Sequence, residues 1–189
     1  MRRFIVETLL VIVIAVVTGL GSVLFALEQS RNRGTMAIGP WTAAPDAGRD
    51  NPYAAAIAAT TLDLPFGPAE GIVFTARTDS SGDALTGRCT YRIAGPTPQA
   101  RVWTLTAYDA GSGLMANPAA RTGFHSREVL RTPDGSYSIA VSASAQPGNW
   151  VPVARVDQLI FVLRLYDTPL TTGLAVEQAM PDIVAEGCR

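Results

Sequence analysis

The chain has 189 residues, 48% of them hydrophobic and 16% charged, with a formal net charge of -1, a composition that fits one hydrophobic core and is short for two domains. Its basic residues are scattered and include no lysine, arginine supplying all 15. That leaves no electrostatic footprint for nucleic acid and removes Schiff-base and phosphate-loop lysine chemistry.

The N-terminus carries the strongest signal. After Arg2 and Arg3, residues 9–27 contain no charge, with only Thr18 and Ser22 as polar interruptions, a run long enough to cross a hydrocarbon layer as a helix. The competing reading is a cleaved secretory signal. The run exceeds the usual apolar length of such signals and no small-x-small cleavage site follows closely, so residues 1–27 read as a retained anchor. Gly19, Gly21 and Ser22 make one side of this helix small, a weak packing signal because glycine is common in such spans. Arginines flank it on both sides, with Arg31 and Arg33 just after it, so charge alone does not orient it.

Residues 28–50, rich in glycine, proline, alanine and charge, read as a linker that tethers the domain or lies along it. Trp41 is the exception and is expected to pack on the domain or near lipid headgroups. Asn51 before Pro52 gives an N-cap and a first helical proline, opening a short alanine-rich helix over residues 52–62 that Pro65 ends.

From Gly71 the apolar period is two. Ile72, Phe74 and Ala76 share one face, and a turn of small polar residues leads to Cys89, Tyr91 and Ile93 alternating with Arg88, Thr90 and Arg92. Trp103, Leu105 and Ala107 then oppose Val102, Thr104, Thr106 and Tyr108. Pro133-Asp134-Gly135 predicts a hairpin turn between Val129-Leu130 and a strand carrying Tyr137, Ile139, Val141 and Ala143, whose serine-rich opposite face should meet water. Residues 147–152 read as a rigid loop. Residues 159–167 then begin with five apolar side chains in succession, which a strand tolerates only mid-sheet with both faces covered. A last extended piece, residues 181–184, precedes Cys188. Such strands with turns between them predict a mainly β fold: an antiparallel β-sandwich or jelly-roll-like domain over residues 51–189, with one short N-terminal helix, preceded by a single transmembrane helix.

Cys89 and Cys188 are the only cysteines and lack metal-ligand spacing. Such a pair suits a disulfide in an oxidising compartment, the alternative being two free buried thiols. A bond would close a loop of about a hundred residues and contribute roughly 4 to 5 kcal/mol in the chain-entropy account. On that ground the N-terminus is expected in the cytoplasm and the body in the periplasm of a bacterium, on a single-pass signal-anchor in the inner membrane.

Six short segments in order, Gly87-Arg88-Cys89-Thr90-Tyr91-Arg92, Trp103-Thr104-Leu105-Thr106-Ala107-Tyr108-Asp109, Asn117-Pro118, Asp134-Gly135-Ser136, Pro147-Gly148-Asn149-Trp150-Val151-Pro152 and Leu163-Arg164-Leu165-Tyr166, resemble the bacterial domain-of-unknown-function family twelve-fourteen. The resemblance runs from about Asn51 to the C-terminus. It implies a mainly antiparallel β fold and a frequent companion, the family twelve-fifty-four domain, either fused or as a neighbouring protein. That companion is missing from this chain, where an anchor stands instead. The family brings no settled reaction.

Residue types for catalysis are sparse. His125 is the only histidine, which excludes histidine-rich metal sites, and no metal or cofactor is expected. Ser126 beside it points to the opposite face of an extended chain, and Ser112 between two glycines reads as turn chemistry, not a nucleophile elbow. Asp109 and Asp167 each follow a tyrosine at a strand end, so side-by-side strands can bring them together as a glycosidase-like pair; the plainer reading is turn initiation. Arg164 on the central strand needs a carboxylate or an outward path, and Asp109 or Asp167 would serve, a structural role that outranks anion binding. Trp103, Trp150 and Tyr166 complete a candidate ligand pocket with Asp109, Arg164 and Asp167, although core packing is the ordinary role of such aromatics.

The sequence therefore favours a membrane-anchored extracytoplasmic binding or assembly module acting with a companion-domain protein, with no catalytic residue assigned. The alternative is a cell-envelope hydrolase using paired carboxylates on a glycan or ester.

Overall fold

The structure, a computed structural model, describes residues 2–31, 36–43, 66–67, 70–111, 113–115, 117, 119–172 and 179–188. The chain divides into two units, one containing the N-terminal helix and the other the strands. The helix α1 spans Arg2–Arg31, and its segment Arg3–Ala26 is long and apolar enough to cross a membrane. Twenty-four residues rise about 36 Å, against roughly 30 Å of hydrocarbon. Its internal hydroxyls are already satisfied within the helix: Thr18 donates to the Ile14 carbonyl at 2.7 Å and Ser22 to the Gly19 carbonyl at 2.8 Å. Thr18 and Ser22 thus carry their own acceptors, as a hydroxyl in an apolar medium would need.

The strands follow as β1 (Met36–Ile38), β2 (Trp41–Ala43), β3 (Gly71–Ala76), β4 (Cys89–Ala94), β5 (Val102–Asp109), β6 (Gly113–Leu114), β7 (Gly123–His125), β8 (Ser138–Ser142), β9 (Asn149–Pro152), β10 (Leu159–Tyr166) and β11 (Asp182–Cys188). Seven form a sheet in the order β1-β2-β3-β10-β5-β6, with β7 also paired to β5, and four form a second sheet in the order β11-β4-β8-β9. All pairs are antiparallel except β8 with β9. The expected mainly β architecture is therefore present as two facing sheets.

The core lies between them because alternation with period two puts one set of side chains from each strand on the same side. Leu159, Phe161, Leu163 and Leu165 of β10 are all at most 1% exposed, and Phe74, Leu105, Ile93 and Ile139 join them in one cluster. Tyr91 of the smaller sheet meets Phe161 of the larger edge-to-face, with centroids 5.7 Å apart. On the other face of β10 Val162 is buried, while Ile160, Arg164 and Tyr166 are half-buried. The mid-sheet placement expected for this strand stands, with β3 on one side and β5 on the other.

Several local expectations are corrected. Residues 36–43, read as part of a 28–50 linker, are instead a hairpin that pairs with β3. Gly39 at φ +58 lets this hairpin turn, and Trp41, 0% exposed, donates Nε1-H to the Pro181 carbonyl at 2.7 Å. Trp41 thus packs on the domain, one of the two places expected for it, and burying an indole of that size outweighs the polar, proline-rich surroundings that suggest a tether. Asn149–Pro152, read as loop, is strand β9 at a sheet edge, where proline's missing N-H costs no ladder bond. The serine face of β8 is only partly wet, since Ser142 is buried against Thr90, their hydroxyls 2.9 Å apart. Arg131 rather than Val129-Leu130 bridges to Tyr137 across the Pro133-Asp134-Gly135 turn. The final strand runs to Cys188, beyond the expected 181–184. The short helix expected at 52–62 lies outside the described residues.

Cys89 and Cys188 face each other as the last register pair of β4 and β11 and are joined by a disulfide across 99 residues of sequence. Val184 and the residues after it on β11 are exposed, so burial holds this end of the strand weakly and the crosslink substitutes for it. Replacing both cysteines by serine is expected to lower the unfolding free energy by about 4 kcal/mol. Urea unfolding of the full chain measures this; identical midpoints for oxidised wild type and the double variant would show that the closed loop contributes nothing.

Candidate functional site

Among the described residues, side chains of different elements meet in a cleft of about 770 Å³ bounded by residues 95–100, Trp103, Ser126 and the turn from Arg131 to Tyr137. One wall starts where Gly95, at φ +122, lets the chain leave β4 in a conformation that a side chain resists. Two prolines, Pro96 and Pro98, then restrict the segment. Its far end is held by Thr168, whose hydroxyl donates to the Gln99 carbonyl at 2.7 Å.

The opposite wall is the turn predicted from Pro133-Asp134-Gly135. Gly135, at φ +83, donates its N-H to the Thr132 carbonyl at 2.8 Å, and Thr132 donates to the Ser136 carbonyl at 2.9 Å. The Asp134 carboxylate accepts from the Thr132 hydroxyl, from the Ser136 hydroxyl at 2.9 Å and from the Ser136 N-H at 3.2 Å. These donors, the Thr132 hydroxyl first and then Ser136, hold its pKa below the usual carboxylate range, so the group stays ionised at neutral pH. Arg131 stands on the same turn. Its Nη1 donates to the Gly135 carbonyl at 2.8 Å, and its guanidinium carbon lies 5.2 Å from the Tyr137 ring centroid.

Tyr137 connects both walls to the floor. Its ring lies 5.1 Å from that of Trp103, and its hydroxyl is 2.5 Å from that of Thr97. Burial raises its pKa, opposed in part by the Thr97 hydrogen bond and the charge of Arg131. Trp103 and Tyr137 are 5% and 7% exposed, so their rings are spent mainly on each other and on the core. The polar lining consists of the hydroxyls of Thr97, Ser126 and Ser136, which already bond Tyr137, the Trp103 N-H and Asp134, together with the Gln99 amide, the Arg131 guanidinium and the Asp134 carboxylate.

Of the six residues expected to form a pocket, the structure places only Trp103 in this cleft. Trp150 belongs to the smaller sheet, where its Nε1-H donates to the Ser142 carbonyl at 3.0 Å. Arg164 lies on the other face of β10 with its guanidinium 5.6 Å from the Tyr108 centroid, and Tyr166 stacks near Phe66 at 5.0 Å. Asp167 pairs with Arg101 at 3.2 Å, and Asp109 accepts from the Gly111 N-H at 3.1 Å as a turn starter does. The two aspartates do not converge. β5 and β10 are neighbours but antiparallel, with Asp109 opposite Leu159 and Val102 opposite Tyr166. The acids therefore sit at opposite ends of the ladder, about 27 Å apart along the strand, against the roughly 5 to 9.5 Å that paired-carboxylate glycoside chemistry needs. For the same reason neither neutralises Arg164 in the way expected: Asp167 is taken by Arg101, and Asp109 lies at the far end.

His125 and Ser126 act separately. His125 Nε2 is 3.5 Å from Glu128 and its Nδ1 accepts the Arg127 N-H, while Ser126 turns its hydroxyl to the Trp103 N-H at 3.3 Å. Ser112 lies outside the described residues. Among the described residues no cluster of histidine, cysteine and carboxylate side chains fits a metal ion.

Comparison with known proteins gives a family but no reaction. Residues 70–170 match the family described as "Protein of unknown function (DUF1214)". Among solved structures, the chain is similar to the VPA0106 protein from Vibrio parahaemolyticus, with 26% identity and a TM-score of 0.57 over 74% of this chain and 36% of that one. An uncharacterised protein from Burkholderia cenocepacia matches at 19% identity and a TM-score of 0.43 over 66% of this chain and 31% of that one. The chain thus spans about a third of the length of the structures it matches. No curated protein matches.

Replacing Tyr137 by phenylalanine removes the bond to Thr97 and is expected to cost about 1 kcal/mol. Because folding raises the Tyr137 pKa, its contribution is fully present below the unfolded value near 10 and declines as pH rises through the folded value. Urea midpoints measured from pH 9 to 11.5 should fall more steeply for wild type than for Tyr137→Phe; parallel profiles would contradict the assignment.

Proposed function

We propose that this chain, which belongs to the DUF1214 family, is a binding or assembly module carried on a membrane by α1, with its sheets in the bacterial periplasm and a companion-domain protein as its partner. The observation that carries this reading is the disulfide between β4 and β11. A crosslink between two strand-paired cysteines persists in an oxidising compartment and is reduced in the cytosol, so a fold that relies on it belongs outside. With α1 as the crossing element, the N-terminus is then cytoplasmic.

Two further observations support a recognition role. In the Vibrio protein the matched part is 36% of the chain, so this fold occurs beside other polypeptide, as expected of a module that works against a neighbour. Arg131, Asp134 and Ser136 of the cleft are held by hydrogen bonds within their own turn, an arrangement that fixes contacts in advance. The hydrolase alternative loses its specific pair of acids, since Asp109 and Asp167 occupy opposite ends of the ladder.

In spheroplasts, added protease is expected to digest the domain while leaving a fragment the size of α1 in the membrane, and a thiol reagent should label Cys89 and Cys188 only after reduction. A protected domain with both thiols labelled at once would reverse the placement. Crosslinking in native membranes should join the domain to a companion-domain protein; recovery of the uncrosslinked monomer alone would remove the assembly half of the proposal.

A further inference from the structure

We propose that the cleft between residues 95–100 and the Arg131-to-Tyr137 turn binds a neutral, hydroxyl-rich saccharide unit, with Arg131 and Asp134 as its paired polar grips. The inference deepens the reading of the domain as a binding module by naming a ligand class.

The charge arrangement selects the class. Arg131 and Asp134 stand three positions apart on one turn, and both line the cleft. An anion drawn by the guanidinium meets the carboxylate, and a cation drawn by the carboxylate meets the guanidinium. Hydroxyl groups satisfy both, one accepting from Arg131 and another donating to Asp134. Vicinal hydroxyls of a sugar ring present that pair of roles side by side.

The remaining lining groups agree with this. Thr97, Ser126 and Ser136 add hydroxyls, and Gln99 adds an amide with both donor and acceptor. The volume, about 770 Å³, lies within the range of small-molecule sites and exceeds what a single amino acid fills. The Tyr137 ring supports Arg131 and packs on Trp103, and both rings are too buried to offer a stacking face. Recognition should therefore depend on hydrogen bonds at the rim more than on ring stacking, which implies modest affinity.

The test uses the full chain in lipid nanodiscs without sugar-headed detergent, titrated with cellobiose, chitobiose, galacturonate and alanine by saturation-transfer NMR and calorimetry. Cellobiose or chitobiose is expected to bind, and Arg131→Gln and Asp134→Asn should each weaken that binding at least tenfold, while Arg127→Gln outside the cleft leaves it unchanged. Both cleft residues are exposed, so neither variant disturbs the core, and a matching urea midpoint confirms the fold. Absence of binding by either neutral sugar, or equal binding by the variants, overturns the inference. So does preferential binding of galacturonate or alanine, which would make the cleft an anion or zwitterion site. No partner protein is present in these titrations, so a negative result leaves the crosslinking outcome intact.

Discussion

The antiparallel pairing of β10 with β5 is the constraint on which the rest of this domain depends. Eight consecutive register pairs, from Leu159 opposite Asp109 to Tyr166 opposite Val102, fix which side chains point inward and which residues share an end of the sheet. A slip of one residue would turn Leu159, Phe161, Leu163 and Leu165 out of the core, so the burial of four large side chains enforces the register. The same pairing turns Trp103 inward, opposite Leu165, and sends Arg164 to the other face beside Tyr108. It also separates Asp109 from Asp167. Strand direction alone, set by the core, decides that two acids with the same local setting cannot work on one substrate bond.

The longer strands were legible because their apolar period is a direct image of one buried face. β3, β4, β5 and β8 each show it and appear close to where alternation puts them, while β10 is marked instead by its unbroken apolar run. The short strands carry no such image. β1, β2 and β7 have three residues each and β6 two, too few to display a period, and they form because a neighbour offers an unpaired edge. Asn149 illustrates the point: its side chain takes the Leu130 N-H at 2.7 Å and donates to the carbonyls of Leu130 and Ser138, replacing backbone partners at the start of β9. Nothing in the local sequence around Asn149 announces bonds to residues 11 and 19 positions away.

The cleft was hidden for a related reason. Its turn was visible in Pro133-Asp134-Gly135, and Trp103 was a candidate, but Thr97, Ser126, Arg131 and Tyr137 come from separate segments that only the sheets bring together. Alternation reads Tyr137 as part of an ordinary strand, and no feature of the sequence marks its contact with Trp103. The candidate pocket failed because it gathered aromatic and charged residues by type. Alternation along β10 puts Tyr166 and Arg164 on one face of the larger sheet, and strand pairing puts Trp150 in the smaller sheet.

How a domain with few catalytic groups can still hold a defined ligand follows from how the cleft wall is tied down. Gly95 begins that wall against Pro181, a β-carbon there coming within 3.5 Å of its Cα, and the Pro181 carbonyl is the acceptor for Trp41. At the other end Thr168 holds Gln99, and Arg101 donates its N-H to the Tyr166 and Asp167 carbonyls at the end of β10 while its side chain pairs with Asp167. The wall is therefore fixed by the first hairpin of the sheet on one side and by the end of the central strand on the other. A segment anchored at both ends with two prolines between them has little conformational freedom left to lose, so the entropy that a flexible loop would surrender on binding has already been spent in folding. Asp167, set aside as a catalytic acid, contributes here: at φ +52 it turns the chain out of β10 and places its carboxylate on Arg101, which makes it a support for the cleft and not a participant in it.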